Sequence, residues 1–243
     1  MDKNFSQNNK EKQLLSIIVP VYFNEKSLAL LYKEICKLEI HLAKKNINIE
    51  LIFVDDGSDD NSLNELFNLK TKNSSIKIVK HTRNFGSVAA IKTGIKFVTG
   101  DCFTFIAADL QDPINVILEM TEHWLAGHKY VVAVRRSRSD PVVTKIFAFF
   151  YYKLLKFFVS KHYPSGGFDV ILADSKIISF YKNSSKNINI SLLGHWLGFK
   201  PKIIMYDRLE RKFGKSRWTL KKRISLFLDS ILGFSVLPIR MIL

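Results

Sequence analysis

Phe105-Ile106-Ala107-Ala108-Asp109-Leu110-Gln111-Asp112-Pro113 is an apolar run that ends in a tight group of oxygen-bearing side chains. A hard cation such as Mg²⁺ or Mn²⁺ takes carboxylate and carbonyl oxygens, usually one or two from the protein and the rest from phosphates and water. Asp109 and Gln111 have that character. Their i, i+2 spacing turns both side chains the same way if the extended geometry of the strand persists. Taken alone, the stretch serves equally well as the cap of the next helix.

A second acidic group shifts the balance. Leu51-Ile52-Phe53-Val54 runs straight into Asp55-Asp56-Gly57-Ser58-Asp59-Asp60. Leu15 to Val21 leads to Tyr22, Asn24 and Glu25, and Ile76 to Val79 leads to His81, Arg83, Asn84 and Gly86. The alternation predicts strands at 14–21, 49–55, 76–80, 102–107 and 129–134, and helices at 26–45, 60–71, 86–98 and 113–126. Such βα alternation implies a mostly parallel sheet with right-handed crossovers. In open α/β sheets ligands bind beyond the carboxyl ends of the strands, so the acid clusters are expected to face one crevice. Carboxylates for ribose hydroxyls or base N–H groups, a metal-binding pair and an arginine near phosphate together suggest a nucleotide diphosphate site. Glu25 and Asp56 could equally serve as strand-end caps, but their co-location with Asp55 favours contact with the nucleoside. The first helix carries Leu28, Leu31, Ile35, Leu38 and Leu42 at helical spacing, which is a core face. Gly-x-Gly-x-x-Gly and Walker signatures are absent, which argues against a dinucleotide enzyme or an NTPase.

Composition sets the outer bounds. The 243 residues, 47% apolar, suit one α/β domain with a substantial core. A net charge of +15 predicts a polyanionic partner: nucleic acid, anionic lipid or a phosphorylated substrate. Acid clusters at the strand ends repel a nucleic-acid backbone unless a metal intervenes, so no nucleic acid is expected. Cys36 and Cys102 lack metal-ligand spacing and read as reduced core residues in a cytoplasmic protein. The first 13 residues read as a flexible start, and no run of about 18 uncharged apolar residues marks a membrane span.

Arg135-Arg136-Ser137-Arg138 places three fixed positive charges at a strand end, an arrangement suited to gripping phosphate. Lys145 to Phe158 then combines an aromatic body with spaced lysines, and is too short to span a bilayer. It reads as a helix in the headgroup plane or as one buried against the sheet. Lys215, Arg217, Lys221, Lys222 and Arg223 repeat the theme ahead of Ile224, Leu226, Phe227, Leu228, Ile231, Leu232 and Phe234. Basic residues beside an anionic membrane contribute roughly 1 kcal/mol each, which favours the membrane surface as a partner.

The ordered set Val19-Pro20-Val21-Tyr22-Phe23-Asn24-Glu25, Val54-Asp55-Asp56-Gly57-Ser58, Arg83-Asn84-Phe85-Gly86, Ala108-Asp109-Leu110-Gln111-Asp112-Pro113, Gly166-Gly167-Phe168-Asp169, Trp196-Leu197-Gly198-Phe199, Tyr206-Asp207-Arg208 and Gly214-Lys215-Ser216-Arg217-Trp218 spans nearly the whole chain. It resembles the family 2 glycosyltransferases of the polyprenyl-phosphate branch, which include dolichol-phosphate mannose synthases and bactoprenol glucosyltransferases. One departure is Ala107, where the family often has a further Asp.

The resemblance implies a Rossmann-like GT-A fold over 14–216, with amphipathic juxtamembrane helices over 217–243. It implies a metal-dependent, inverting transfer from a nucleotide sugar to a polyprenyl phosphate at the cytoplasmic membrane face, with UDP-glucose favoured over GDP-mannose. In that reading Asp109 and Gln111 hold Mg²⁺ or Mn²⁺. Pro20, Tyr22, Glu25, Asp55, Asp56, Arg83, Asn84, Ala108 and Asp109 receive the nucleotide sugar, and Arg211, Lys215 and Ser216 close over its pyrophosphate. Arg135 and Arg138 meet the acceptor phosphate, with Lys145 a weaker candidate, and Asp169 orients acceptor or donor. Family members often continue into membrane spans after a segment like Phe234 to Arg240, so the expected attachment is peripheral or through spans beyond this chain. Homo-oligomerisation stays open. The alternatives are transfer to a sugar hydroxyl, which would require Asp169 or Asp112 to act as a base, and a non-catalytic membrane-associated scaffold.

Overall fold

Burial alternates along the first strand, β1 (Gln13–Val21), in a way that sets the whole architecture. Leu15, Ile17, Val19 and Val21 enter one apolar cluster and Ile18 enters another, so both faces of the sheet are covered. The computed structural model describes residues 12–136, 153–157, 168–185, 188–213, 220–235 and 240. From β1 the chain runs through α1 (Leu28–Ala43), β2 (Ile47–Asp55), α2 (Ser62–Lys72), β3 (Lys77–Lys80), α3 (Ser87–Lys96), β4 (Cys102–Phe105), α4 (Ile114–Leu125) and β5 (Tyr130–Arg135). Each lies within about two residues of its predicted span. The predicted core face of α1 is the buried one: Leu28, Leu31, Ile35, Leu38 and Leu42.

The alternation read from sequence stops at residue 134. The structure adds β6 (Val170–Asp174), α5 (Ser175–Asn183), α6 (Ile190–Trp196), β7 (Lys202–Tyr206) and α7 (Leu220–Leu232). The seven strands lie in the order β3-β2-β1-β4-β6-β5-β7. All neighbours pair in parallel except β6, which runs antiparallel to both β4 and β5. The sheet is therefore mostly parallel, as expected, with one reversed strand. That reversal positions the site, because β6 starts where its neighbours end and Asp169, just before it, joins the C-terminal edge.

Helices α1, α2 and α4 cover one face, with Leu31, Leu66 and Trp124 in the core. Helices α3, α5, α6 and α7 cover the other, with Ile95, Ile177 and Leu193 buried. Helix α3 approaches β1 and β2 closely because Gly94 faces them; a β-carbon there would collide with Ile18 and Val54. No helix among the described residues is long and apolar enough to cross a membrane.

Candidate nucleotide and phosphate site

The loops after β1, β2 and β3 are tied into one unit by their own polar groups. Phe23, at φ +57°, donates its N–H to Ser58 Oγ at 3.1 Å, and Asn24 N–H donates to Ser62 Oγ at 2.8 Å. Gly57 has φ +71° and packs on the Arg83–Asn84 backbone, where any β-carbon would clash. Asp56 closes the unit: Oδ1 accepts from Phe85 N at 2.9 Å and Oδ2 from Gly86 N at 2.7 Å, while Oδ1 also meets His81 Nδ1 at 2.8 Å. Its carboxylate is engaged by a neighbouring loop, and two part-buried backbone N–H groups would lose their partner if it turned away. Glu25 also takes its capping role, accepting the Asn61 N–H on Oε2 at 3.0 Å.

Asp55 is different. It is fully buried, Oδ1 accepts only a long 3.3 Å bond from Ser58 N, and Oδ2 has no hydrogen-bond partner among the described residues. A buried acceptor without a donor is costly, and a base N–H or ribose hydroxyl would satisfy it. Around it Pro20 and Asn84 are half-buried, Tyr22 lies edge-on to Phe23 at 4.6 Å, Ala108 is buried, and exposed Arg83 sits 4.7 Å over the Phe85 ring.

The second half of the site forms where the segment after β4 meets the segment after β7. Leu110 sits at φ +61°, a conformation costing a non-glycine residue roughly 1 kcal/mol or more. This turn brings the side chains of Asp109 and Gln111 together; the extended geometry assumed from their spacing does not persist past Phe105. Leu209 N–H donates to Gln111 O at 2.8 Å, and Gln111 Nε2 donates to Leu209 O at 3.3 Å. One nitrogen, Arg211 Nη2, lies 2.7 Å from Asp109 Oδ2 and 3.0 Å from Gln111 Oε1. The two oxygens thus converge on a single cationic point, as a Mg²⁺ or Mn²⁺ site requires. With Ala107 in place of an acid, two side-chain oxygens converge here, and no group of three or more His, Cys, Asp or Glu converges among the described residues. Two oxygens suit a metal that keeps its remaining positions for phosphate and water.

Farther along the edge the charges pair again. Arg135 Nε meets Asp169 Oδ2 at 2.5 Å, and Arg208 Nε lies 3.4 Å from Asp112 Oδ1, which also accepts the Tyr206 hydroxyl at 2.8 Å. Burial pushes the Asp112 carboxyl above its usual range, with Arg208 and Tyr206 working against it. Burial also opposes the Arg135 charge, and Asp169, Tyr206 and Asp112 together more than offset it. Burial, then Asp112 and Asp169, raise the Tyr206 phenol, so it stays a proton donor. Among the described residues this edge therefore holds four acid–arginine pairs: Asp109 with Arg211, Asp112 with Arg208, Asp169 with Arg135, and the more exposed Asp207 with Arg136.

Arg208 and Tyr206 lie outside the site set read from sequence. Their signal was the Tyr206-Asp207-Arg208 stretch, and β7 brings it alongside β5, with Tyr206 opposite Arg135. Arg138, Lys145, Lys215 and Ser216 lie outside the described residues. His195 packs behind the edge, stacked 4.9 Å from Phe168, and burial holds its imidazole down at about 4.

Residues 16–181 match the profile of glycosyl transferase family 2. The chain belongs to this family. It is 36% identical over 228 residues to the uncharacterized glycosyltransferase YkcC of Bacillus subtilis, covering 93% of this chain and 70% of that one. It is 31% identical over 228 residues to the prophage bactoprenol glucosyl transferase homolog of Escherichia coli K12, covering 93% and 74%. Among solved structures it is similar to glucosyl-3-phosphoglycerate synthase from Mycobacterium tuberculosis, a structure containing Mn²⁺, UDP-glucose and phosphoglyceric acid. There the TM-score is 0.60 at 16% identity, over 91% of this chain and 78% of that one. The fold is thus the GT-A fold of this family, as the sequence motifs imply.

Proposed function

We propose that the chain is an inverting glycosyltransferase that moves a sugar, favoured as glucose from UDP-glucose, onto a polyprenyl phosphate at the cytoplasmic face of a membrane for cell-surface glycan synthesis. The observation that carries this reading is the convergence on one sheet edge of a two-oxygen cation site and two carboxylate-held arginines, in a chain related to a bactoprenol glucosyl transferase homolog.

Asp55 Oδ2 would take the base or ribose of the donor, with Arg83 and the loop held by Asp56 beside it. A divalent ion held by Asp109 and Gln111 would offset the charge growing on the departing diphosphate. Arg135 and Arg208 are each ion-paired with a carboxylate near Nε, which keeps both guanidinium groups at this edge, where their N–H groups can meet the acceptor phosphate. Asp169 then acts by orienting Arg135. A phosphate monoester has a second pKa near 6, so the acceptor oxygen is already ionised at neutral pH and needs no strong base. In-line attack on the anomeric carbon inverts its configuration as the sugar–diphosphate bond breaks.

Helix α7 supports the membrane surface as a partner. Phe227, Ser230 and Ile231 face inward, and Asn189 Nδ2 donates to Ser230 Oγ at 2.8 Å. Ile224, Leu228 and Leu232 form an exposed apolar stripe at i, i+4, i+8. Of the aromatic segment 145–158, residues 153–157 are described: helical, with Leu155 buried and Phe157 exposed.

The test is a donor screen: purified protein, Mn²⁺ or Mg²⁺, a short-chain polyprenyl phosphate and a panel of UDP- and GDP-sugars, scored by mass for glycosyl-lipid. Product from the wild type and at least about 10³-fold less from Asp109→Ala is expected. Absence of product from every donor would contradict the proposal.

A further inference from the structure

Of the four acid–arginine pairs at this edge, one involves the very oxygens read as metal ligands. Arg211 Nη2 bridges Asp109 Oδ2 and Gln111 Oε1, the point a divalent cation would occupy. A guanidinium and a metal ion cannot share it, because like charges a few ångströms apart repel strongly in a partly buried site. We propose that Arg211 is a positioning residue that couples cation binding to diphosphate binding: its guanidinium holds Asp109 and Gln111 in the substrate-free chain, and gives them up for the donor's diphosphate when a divalent cation enters. The inference rests on the reading of Asp109 and Gln111 as the cation site.

The segment is built for such an exchange. After β7 the chain is anchored to the 109–112 turn at Arg208 through Asp112 and at Leu209 through Gln111. Beyond Leu209, the ion pair and hydrogen bond of Arg211 are the polar ties of residues 210–213 among the described contacts. Arg211 can therefore swing without breaking any other hydrogen bond there. The Arg211 side chain is about a quarter exposed and Asp109 is nearly buried, so the acid needs a cation more than the arginine needs an anion, and Asp109 parts from Arg211 only for another cation.

Metal alone must displace Arg211 and leave it unpaired. Metal arriving with a nucleoside diphosphate gives Arg211 a new partner. The two ligands are therefore coupled, and by linkage each raises the affinity of the other by the same factor.

The test is Mn²⁺ binding to the full chain, read from the electron paramagnetic resonance signal of free Mn²⁺, with and without UDP. Wild type is expected to bind Mn²⁺ weakly alone and about tenfold or more tightly with UDP. Arg211→Ala is expected to bind Mn²⁺ alone about tenfold more tightly than wild type and to gain less from UDP than wild type does, the remainder coming from phosphate on the metal itself. Arg211→Lys, which restores a cation, should fall between them, and Arg211→Gln replaces the alanine variant if that fails to fold. Equal or weaker Mn²⁺ binding by Arg211→Ala without UDP would overturn the exchange. Asp109→Asn separates the two levels: lost Mn²⁺ binding there beside an unchanged Arg211→Ala sinks the exchange alone, whereas unchanged binding in Asp109→Asn with UDP sinks the cation site as well.

Discussion

The two edges of the sheet both bury carboxylates, and they treat them in opposite ways. At the N-terminal edge, burial pushes the Glu50 carboxyl up, but the Lys77 ammonium, the Ser16 hydroxyl at 2.5 Å and both N and Oγ1 of Thr99 hold it below the ordinary range. Asp174, brought to that edge by the reversed β6, is opposed by burial and held down by Trp124 Nε1 at 2.7 Å, Lys129 Nζ at 3.0 Å and Lys176 N at 3.2 Å. At the C-terminal edge Asp55 has an oxygen without a partner, Asp112 is pushed up by burial, and Asp109 is held by a side chain on an irregular segment. Carboxylates that hold a fold are saturated by fixed neighbours. Those we propose to receive a ligand keep coordination open or are held by side chains that can move. Asp56 shows that the distinction follows bonding and not position, since it stands at the ligand edge with both oxygens taken.

The contrast breaks most visibly in stability. Glu50→Gln removes the charge of a buried carboxylate whose Lys77 partner is partly exposed, and should cost about 2 kcal/mol in urea unfolding, with donor affinity intact where the chain stays folded. A next test concerns His195. Its folded-state pKa of about 4 lies below the ordinary 6.5, so the unfolded chain takes a proton first and stability falls as pH drops from about 6.5 toward 4. Between pH 7 and 5 this loss amounts to about 2 kcal/mol, and His195→Phe, which keeps a ring against Phe168, should remove most of it. The smallest effect is expected at Asp112. With its carboxyl raised by burial, the charged form is a burden to the fold at pH 7, so Asp112→Asn should change stability by less than about 1 kcal/mol while weakening acceptor binding. A loss there as large as that of Glu50→Gln would erase the contrast.

Much of this was legible in the sequence for a physical reason. Buried parallel strands read as short apolar runs, and residues that end them in acids and glycines mark the ligand edge, so β1 to β5 and Asp55, Asp109 and Gln111 stand out. Helix α1 was readable from its leucine spacing alone. Which acid of Asp55-Asp56 is saturated was not legible, because that depends on backbone N–H groups of Phe85 and Gly86 some thirty residues away. Nor was the reversal of β6, a pairing choice made across the sheet. The pairing of Arg208 with Asp112 and of Arg211 with Asp109 joins segments about a hundred residues apart, a distance no local pattern spans.

The most direct test of the central claim is a calorimetric titration of UDP, in the presence of Mn²⁺, into wild type, Asp109→Ala and Glu50→Gln. The account predicts metal-dependent binding in wild type and in folded Glu50→Gln, and none in Asp109→Ala at unchanged stability. Equal binding by Asp109→Ala, or loss of binding in folded Glu50→Gln, would contradict it.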